Sequence, residues 1–372
     1  MFLLNTSPAR GQGDSPEKHV TMAPSDRNKC LNMTHIDTGS PTIAALMFSA
    51  GVVGNLVALL LLEIHRRKEN HRRQSLFYML VTTLVVTDLL GTLFVSPIVL
   101  ISYATNKTLV ALNENSYVCQ FFGFSMTFFG LATLAILLTM ALERWFSIAC
   151  PYFYETHITR RYGFITIPIV IISSISFSLL PLLGVGTFVQ YCPGTWCFIE
   201  MKPKGPRSSV YANLYATVML FIISSVVICN VSVIFHLVLM YRRRKMNQGS
   251  TVRRSRRHKR SLSMSEEVEH LVLLVFMTAA FVICSVPIVI CIYMNSLYQS
   301  GSLSMTDLSA LRFLSVNPII DPWVFIILNP SVLRFLRGTL CKKQLSTHGL
   351  EKESFTEQIS TTELRKAHSW VF

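Results

Sequence analysis

Apolar residues gather into seven long stretches, about 42–64, 75–104, 117–148, 163–183, 210–241, 268–294 and 307–328, with polar segments between them. A helix needs roughly 20 mostly apolar residues to cross a bilayer, and each stretch meets that length. The expected fold is an all-α membrane protein, a bundle of seven transmembrane helices. The second, third and fifth stretches exceed the minimum and are expected to tilt or project beyond the hydrocarbon. Gly and Pro inside the stretches do not argue against helix, because neighbouring helices re-satisfy the freed backbone groups. No internal repeat is visible, so the inverted halves common in transporters are not indicated. Between the fourth and fifth stretches, "QYCPGTWCF" (Gln190–Phe198) sets a Pro-Gly turn between apolar residues, which suits a short hairpin. After the seventh, Ser331–Cys341 suits a short amphipathic helix lying on the membrane. The chain thus divides into a tail over 1–41, a bundle over 42–341 and a second tail over 342–372.

Composition supports this division, with 51% hydrophobic residues in 372. The 34 Lys and Arg outnumber the 20 Asp and Glu, and the placement of that excess sets the orientation. Cations cluster at His65–Arg73, at Arg160–Arg161 and in "YRRRKMNQGSTVRRSRRHKR" (Tyr241–Arg260). Short loops rich in Lys and Arg stay cytoplasmic, so the amino terminus is expected outside and the carboxyl terminus inside. Beside seven spans, these clusters read as retention charges at lipid headgroups and not as a nucleic-acid surface. "MFLLNTSPARG" is too short in apolar residues for a secretory signal core, which leaves insertion to the first span. The glycosylation sequons at Asn5, Asn32 and Asn106 all fall outside in this topology, whereas the one at Asn230 lies in a span and is expected to stay unmodified.

The nine cysteines form no zinc pattern. Cys30, Cys119, Cys192 and Cys197 face an oxidising compartment and have three possible pairings, among which spacing does not choose. Cys150, Cys229, Cys284 and Cys291 read as small membrane-embedded or interfacial residues. Cys341, beside Lys342 and Lys343, suits palmitoylation or a free thiol.

A charge inside a span is a functional hypothesis by default, and Arg312 lies inside the seventh. At ~1.5 Å rise per residue it is roughly 7.5 Å from the outer end. Asp307, five residues earlier, lies on another face, and Asp321, nine residues later, is on roughly the opposite face and deeper. No other span carries Asp or Glu in its outer half. A guanidinium stays charged, and leaving it unpaired at a helix centre costs roughly 2.5–3.5 kcal/mol. The plain solution is snorkelling to the outer headgroups. The sharper one is a carboxylate ligand, held bidentately, whose remainder is apolar like the bundle. Ser315, one turn deeper, either bonds further along that ligand or bonds its own helix carbonyl.

Asp88, Asp321, Asn55, Asn317 and Thr133 are the main polar groups of the central and inner bundle. Buried carboxylates must be paired, hydrogen-bonded, neutral or cation-bound, so these residues form either a structural network or a site for sodium or a proton. Glu143-Arg144-Trp145 ends the third span as an interfacial pair or as a switch whose arginine exchanges partners with a cytoplasmic protein. Thr195 and Trp196 either face down into the bundle or lie at the membrane interface.

With these residues placed, the chain resembles a rhodopsin-like G-protein-coupled receptor of the prostanoid family. The general marks are Gly54-Asn55, Leu84 to Asp88, Glu143-Arg144, Pro287 and Asp321-Pro322. The prostanoid marks are "QYCPGTWCF", "MALERW" (Met140–Trp145) and "LRFLSVNPIIDPWVF" (Leu311–Phe325). The resemblance implies that Arg312 binds the prostanoid carboxylate with help from Tyr103 and Thr195, that Cys119 pairs with Cys197, and that Cys30 pairs with Cys192 as in some members. It implies a pocket with Trp196 above, Met47 on the first span and Ser315 below. Departures from the wider family are Trp145 where many have Tyr, Ser285 where many have a switch tryptophan, and Asp321-Pro322 with Phe325 in the seventh span.

"VMLFIISSVVICN", "SMSEEVEHLVLLVFMT" and "MTFFGLATL" are most similar to the relaxant group, above all to prostaglandin E2 receptors, while "FYMLV" and "THITRR" lean toward prostaglandin D2 receptors. That group couples to the stimulatory G protein and raises cyclic AMP. The prostacyclin receptor is a further alternative within it. Ser261, Ser263 and Ser265 and the tail from Ser346 to Ser369 are candidate acceptors for receptor kinases, whose phosphates would attract arrestin through charge. A channel or transporter is the alternative from another class, but the intramembrane charges are few and form no ring. A retinal protein would need a lysine in a span, and none is present. No metal-ligand cluster or nucleophile constellation points to an enzyme, and no cofactor is expected.

Overall fold

The computed structural model describes residues 33–36, 40–68, 76–158, 160–202, 205–246, 254–297 and 305–328. The helices are α1 (Pro41–Lys68), α2 (Leu76–Thr105), α3 (Tyr117–Ala149), α4 (Pro151–His157), α5 (Arg160–Leu179), α6 (Pro206–Met246), α7 (Arg254–Leu297) and α8 (Met305–Leu328). Seven of these are long and apolar enough to cross a membrane, the short α4 being the exception. Prolines lie inside four of them: Pro97 in α2, Pro168 in α5, Pro287 in α7, and Pro318 and Pro322 in α8.

Most helix limits fall near those read from hydropathy, and the exceptions have physical reasons. α5 stops at Leu179, where turns around Pro181 take over, although apolar residues continue to 183. α6 and α7 run on past their apolar stretches, to Met246 and from Arg254. Arg, Lys and Glu are good helix formers, so helix persists where hydropathy has already fallen. Ser261, Ser263 and Ser265 consequently fall within α7 instead of a loop. Residues 331–341, Cys30, Asn5, Asn32, Cys341 and the tail from Ser346 lie outside the described residues.

α3 is the most buried of the spans and packs against α2, α5, α6 and the hairpin, while α8 packs against α7, α1 and α2. Gly54 sets the closeness of α1 and α8, since a Cβ there would stand 2.9 Å from Trp323 Nε1. Asn55, beside it, donates from Nδ2 to the Gly51 and Pro318 carbonyls, both at 2.9 Å, which fixes α1 against α8 at Pro318.

The expected hairpin is present and longer than its motif: β1 (Phe188–Tyr191) pairs antiparallel with β2 (Trp196–Ile199). Its turn needs Gly194, whose φ of 100° lies in the left-handed region and whose missing side chain makes room for Thr108. Cys119 at the start of α3 is bonded to Cys197 on β2, as the resemblance implied. Cys192 is also disulfide-bonded. A short extended segment, 33–36, lies against the α2–α3 connection, with Thr108 N donating to the Thr34 carbonyl at 3.1 Å and Ile36 N to the Asn106 carbonyl at 3.3 Å. That connection is bonded in turn to the hairpin through Leu109 N to the Gly194 carbonyl (2.9 Å) and Val110 N to Gln190 Oε1 (3.0 Å). Segment, connection and hairpin together cap one end of the bundle.

Candidate functional site

Beneath this cap the helices line a partly open cavity of about 90 Å3, measured as the space open to the centres of water-sized molecules. Its walls come from Met47 on α1, Val95 and Ser96 on α2, Met126, Phe129 and Thr133 on α3, Trp196 on β2, Phe281 on α7, and Leu314, Ser315, Asn317 and Ile319 on α8. Sulfur, aromatic and aliphatic groups dominate, which selects an apolar occupant. Of the expected ligand residues, Met47, Trp196 and Ser315 therefore meet in one cavity.

Arg312, Tyr103 and Thr195 are not among its lining residues. Arg312 is exposed, and its guanidinium has neither an ion pair nor a hydrogen bond among the described residues. Ser315 and Ile319, three and seven residues further on, continue its stripe down α8 and both line the cavity, so Arg312 heads the helix face that forms this wall. The nearest acid along the helix is committed elsewhere. Asp307 is buried, accepts a hydrogen bond from Asn295 Nδ2 at 3.1 Å and pairs with Lys202 at 3.8 Å. Ser315 Oγ donates to the Arg312 carbonyl at 2.7 Å, its own helix. Tyr103 is half-buried against the core at the end of α2. Thr195 is fully buried, and its Oγ1 has no hydrogen-bond partner among the described residues.

The floor of the cavity is polar. Thr133 Oγ1 donates to Asp88 Oδ1 at 2.9 Å, and Asn317 Nδ2 donates to Ser285 Oγ on α7 at 3.3 Å. Ser285 thus occupies the missing tryptophan's place with a hydrogen bond across two helices. Asp88 Oδ2 and both carboxylate oxygens of Asp321, all buried, have no hydrogen-bond partner among the described residues. Two such acids have the chemistry to share a proton or hold a small cation. No group of three or more His, Cys, Asp or Glu side chains gathers among the described residues.

At the far end of α3, Arg144 is buried and ion-paired with Glu143 at 2.5 Å. It also bonds His270 Nδ1 on α7 at 3.2 Å and stands 4.9 Å over the Phe77 ring. Glu143 accepts from the Tyr154 hydroxyl of α4. Trp145 Nε1 donates to Ser232 Oγ on α6 at 3.1 Å, so the departure from tyrosine is used to join two helices. His270 and Tyr154 were not singled out from the sequence. An ionisable ring opening the apolar run "HLVLLVF" was the available signal for the first.

Residues 54–325 match the profile of the family described as "7 transmembrane receptor (rhodopsin family)". A prostaglandin E2 receptor EP2 subtype of Mus musculus is 48% identical over 336 residues, covering 87% of this chain and 91% of that protein. The Homo sapiens protein of that name is 49% identical, covering 81% and 86%. A prostaglandin D2 receptor of Mus musculus is 41% identical, covering 90% and 98%. Among solved structures, squid rhodopsin aligns with a TM-score of 0.67 at 14% identity, over 87% of this chain and 82% of that one, a likeness of fold alone.

Proposed function

The chain belongs to the rhodopsin family of seven-transmembrane receptors and, within it, to the prostanoid receptors; from that premise we propose that it binds prostaglandin E2 and answers by activating the stimulatory G protein and raising cyclic AMP. It is a multi-pass receptor of the plasma membrane and not an enzyme, and the channel or transporter alternative falls with the family match. The amino-terminal segment 1–41 and the cap face outside, and the segment 342–372 faces the cytoplasm.

The observation that carries the binding reading is Arg312, a permanent cation one turn along α8 from the cavity-lining Ser315, with no acid of the described residues to pair with it. The prostanoid carboxylate fills that place, held by Arg312 with the Thr195 hydroxyl and Tyr103. The ring and chains lie in the apolar cavity against Met47, Trp196 and Ser315. At the other end, the hydrogen bond between Arg144 and His270 holds α7 against α3. An agonist that prefers the arrangement with this bond broken shifts the population toward it. α7 then moves outward and Arg144 becomes available to the G protein. Asp88, Thr133, Asn317 and Asp321 form the polar core that rearranges between the two states. Greater identity to the named E2 receptors than to the D2 receptor favours prostaglandin E2.

Cells expressing the chain should show the lowest half-maximal cyclic AMP concentration for prostaglandin E2, with D2 and a prostacyclin analogue behind it. A leading response to either of those moves the assignment within the group; negligible responses to all three refute it. Arg312→Gln should weaken prostanoid acids by at least about tenfold, the scale of a charge-assisted hydrogen bond. The corresponding neutral alcohols should change little. Equal losses for acids and alcohols would remove Arg312 from the anchor role.

A further inference from the structure

We propose that Asn317 reads a hydroxyl group of the ligand at the cavity floor and conveys its capture to α7 through Ser285. The inference rests on the prostanoid reading of the cavity and adds to it a second polar contact, distant from the carboxylate.

Asn317 lines the cavity and is 2% exposed. Its amide is only half committed: Nδ2 donates to Ser285 Oγ, while Oδ1 has no hydrogen-bond partner among the described residues. Buried polar groups are almost always hydrogen-bonded, so a lone amide oxygen on a residue that lines a cavity marks where a partner belongs. The described residues supply none. Met126, Phe129, Phe281 and Leu314 are apolar, and the lining hydroxyls of Thr92, Thr133 and Ser315 are already given to Asp88 and Arg312. A hydroxyl both donates and accepts, so it meets the amide whichever of its ends faces the cavity.

Depth fits as well. Asn317 lies five residues beyond Arg312, roughly 7.5 Å along the helix axis. A prostanoid carries hydroxyls on its ring and on its second chain, many bonds from the carboxylate. A molecule anchored at Arg312 therefore has a hydroxyl to offer at the level of Asn317. Because the same amide holds Ser285, a ligand that turns or draws it loosens the α8–α7 bond at the position where other receptors place a tryptophan. Selectivity follows, since an amide left unmatched discriminates against a ligand that lacks the hydroxyl.

Competition binding on membranes from cells expressing the full chain tests this, with prostaglandin E2 and its 11-deoxy and 15-deoxy analogues as probes. In the unaltered receptor, one deoxy analogue should bind about fivefold more weakly than the parent, the scale of one neutral hydrogen bond. Asn317→Leu should weaken the parent by a similar factor and leave that analogue unchanged, so that the two deletions do not add. Asn317→Asp, which keeps an oxygen acceptor and the side-chain size, should preserve the preference for the hydroxylated ligand. Ser285→Ala should likewise preserve the binding preference while reducing the cyclic AMP maximum. Equal weakening of all three ligands by Asn317→Leu, or no weakening, would overturn the proposal, as would loss of the preference in Asn317→Asp or Ser285→Ala. If the unaltered receptor bound none of the three probes, the prostanoid reading itself would fail. Binding of all three without the Asn317 effect would refute only the present inference.

Discussion

Thr195 carries a fully buried hydroxyl that no described residue matches. A structural hydroxyl would be expected to have a partner, because an unmatched one contributes only its desolvation cost. Thr195→Val keeps the branched shape and removes that oxygen. The unliganded receptor in detergent should keep or raise its melting temperature, while affinity for prostaglandin E2 should fall by about threefold to tenfold. A melting temperature lowered by several degrees would make Thr195 a structural residue and remove it from the ligand's contacts. Residues of this kind differ in how far the sequence discloses them. Arg312 is legible because its charge is permanent and the acids that could meet it can be placed along the spans. The orphaned oxygens of Thr195 and Asn317 are not, since whether an oxygen is matched depends on side chains from several other elements.

At the scale of helices, the end of the bundle away from the hairpin is tied in a triangle. Arg144 with His270 joins α3 to α7, Trp145 with Ser232 joins α3 to α6, and Asn230 with Thr278 joins α6 to α7 at 2.9 Å. These pairs are 126, 87 and 48 residues apart in sequence, and no local periodicity encodes such pairings. What the sequence did disclose were the spans themselves, because one rule of length and apolarity governs each. The helices themselves run on where helix propensity and hydropathy part, as at the basic start of α7, whose apolar span begins at Val268 as read. If the Arg144–His270 bond holds the resting arrangement, His270→Leu keeps apolar bulk and deletes the acceptor. Ligand-free cyclic AMP should then rise about threefold to tenfold at equal surface expression, the scale of one hydrogen bond lost from one of two states. An unchanged basal level would show that the other two sides of the triangle suffice.

For the molecule as a whole, the orientation in the membrane organises every functional statement, and it rests on the basic clusters. The cap supplies an independent test. Asn106 is exposed in a turn with a φ of 51°, and its sequon partner Thr108 is fully buried, with its hydroxyl donated to the Met33 carbonyl at 2.5 Å. In the folded receptor the sequon is thus half concealed, and Gly194 of the hairpin presses on the same threonine. A glycan on Asn106 must be attached before segment 33–36 and the hairpin close over Thr108. Asn230, by contrast, is buried in α6 and bonded to Thr278. Asn106→Gln should therefore abolish one glycosidase-sensitive shift in gel mobility, whereas Asn230→Gln should abolish none. Loss of a glycan with Asn230→Gln would contradict its burial in a span. If Asn106→Gln changed nothing, and enzymatic labelling of intact cells reached the basic segment 241–260, the bundle would lie the other way up and Arg312 would face the cytoplasm.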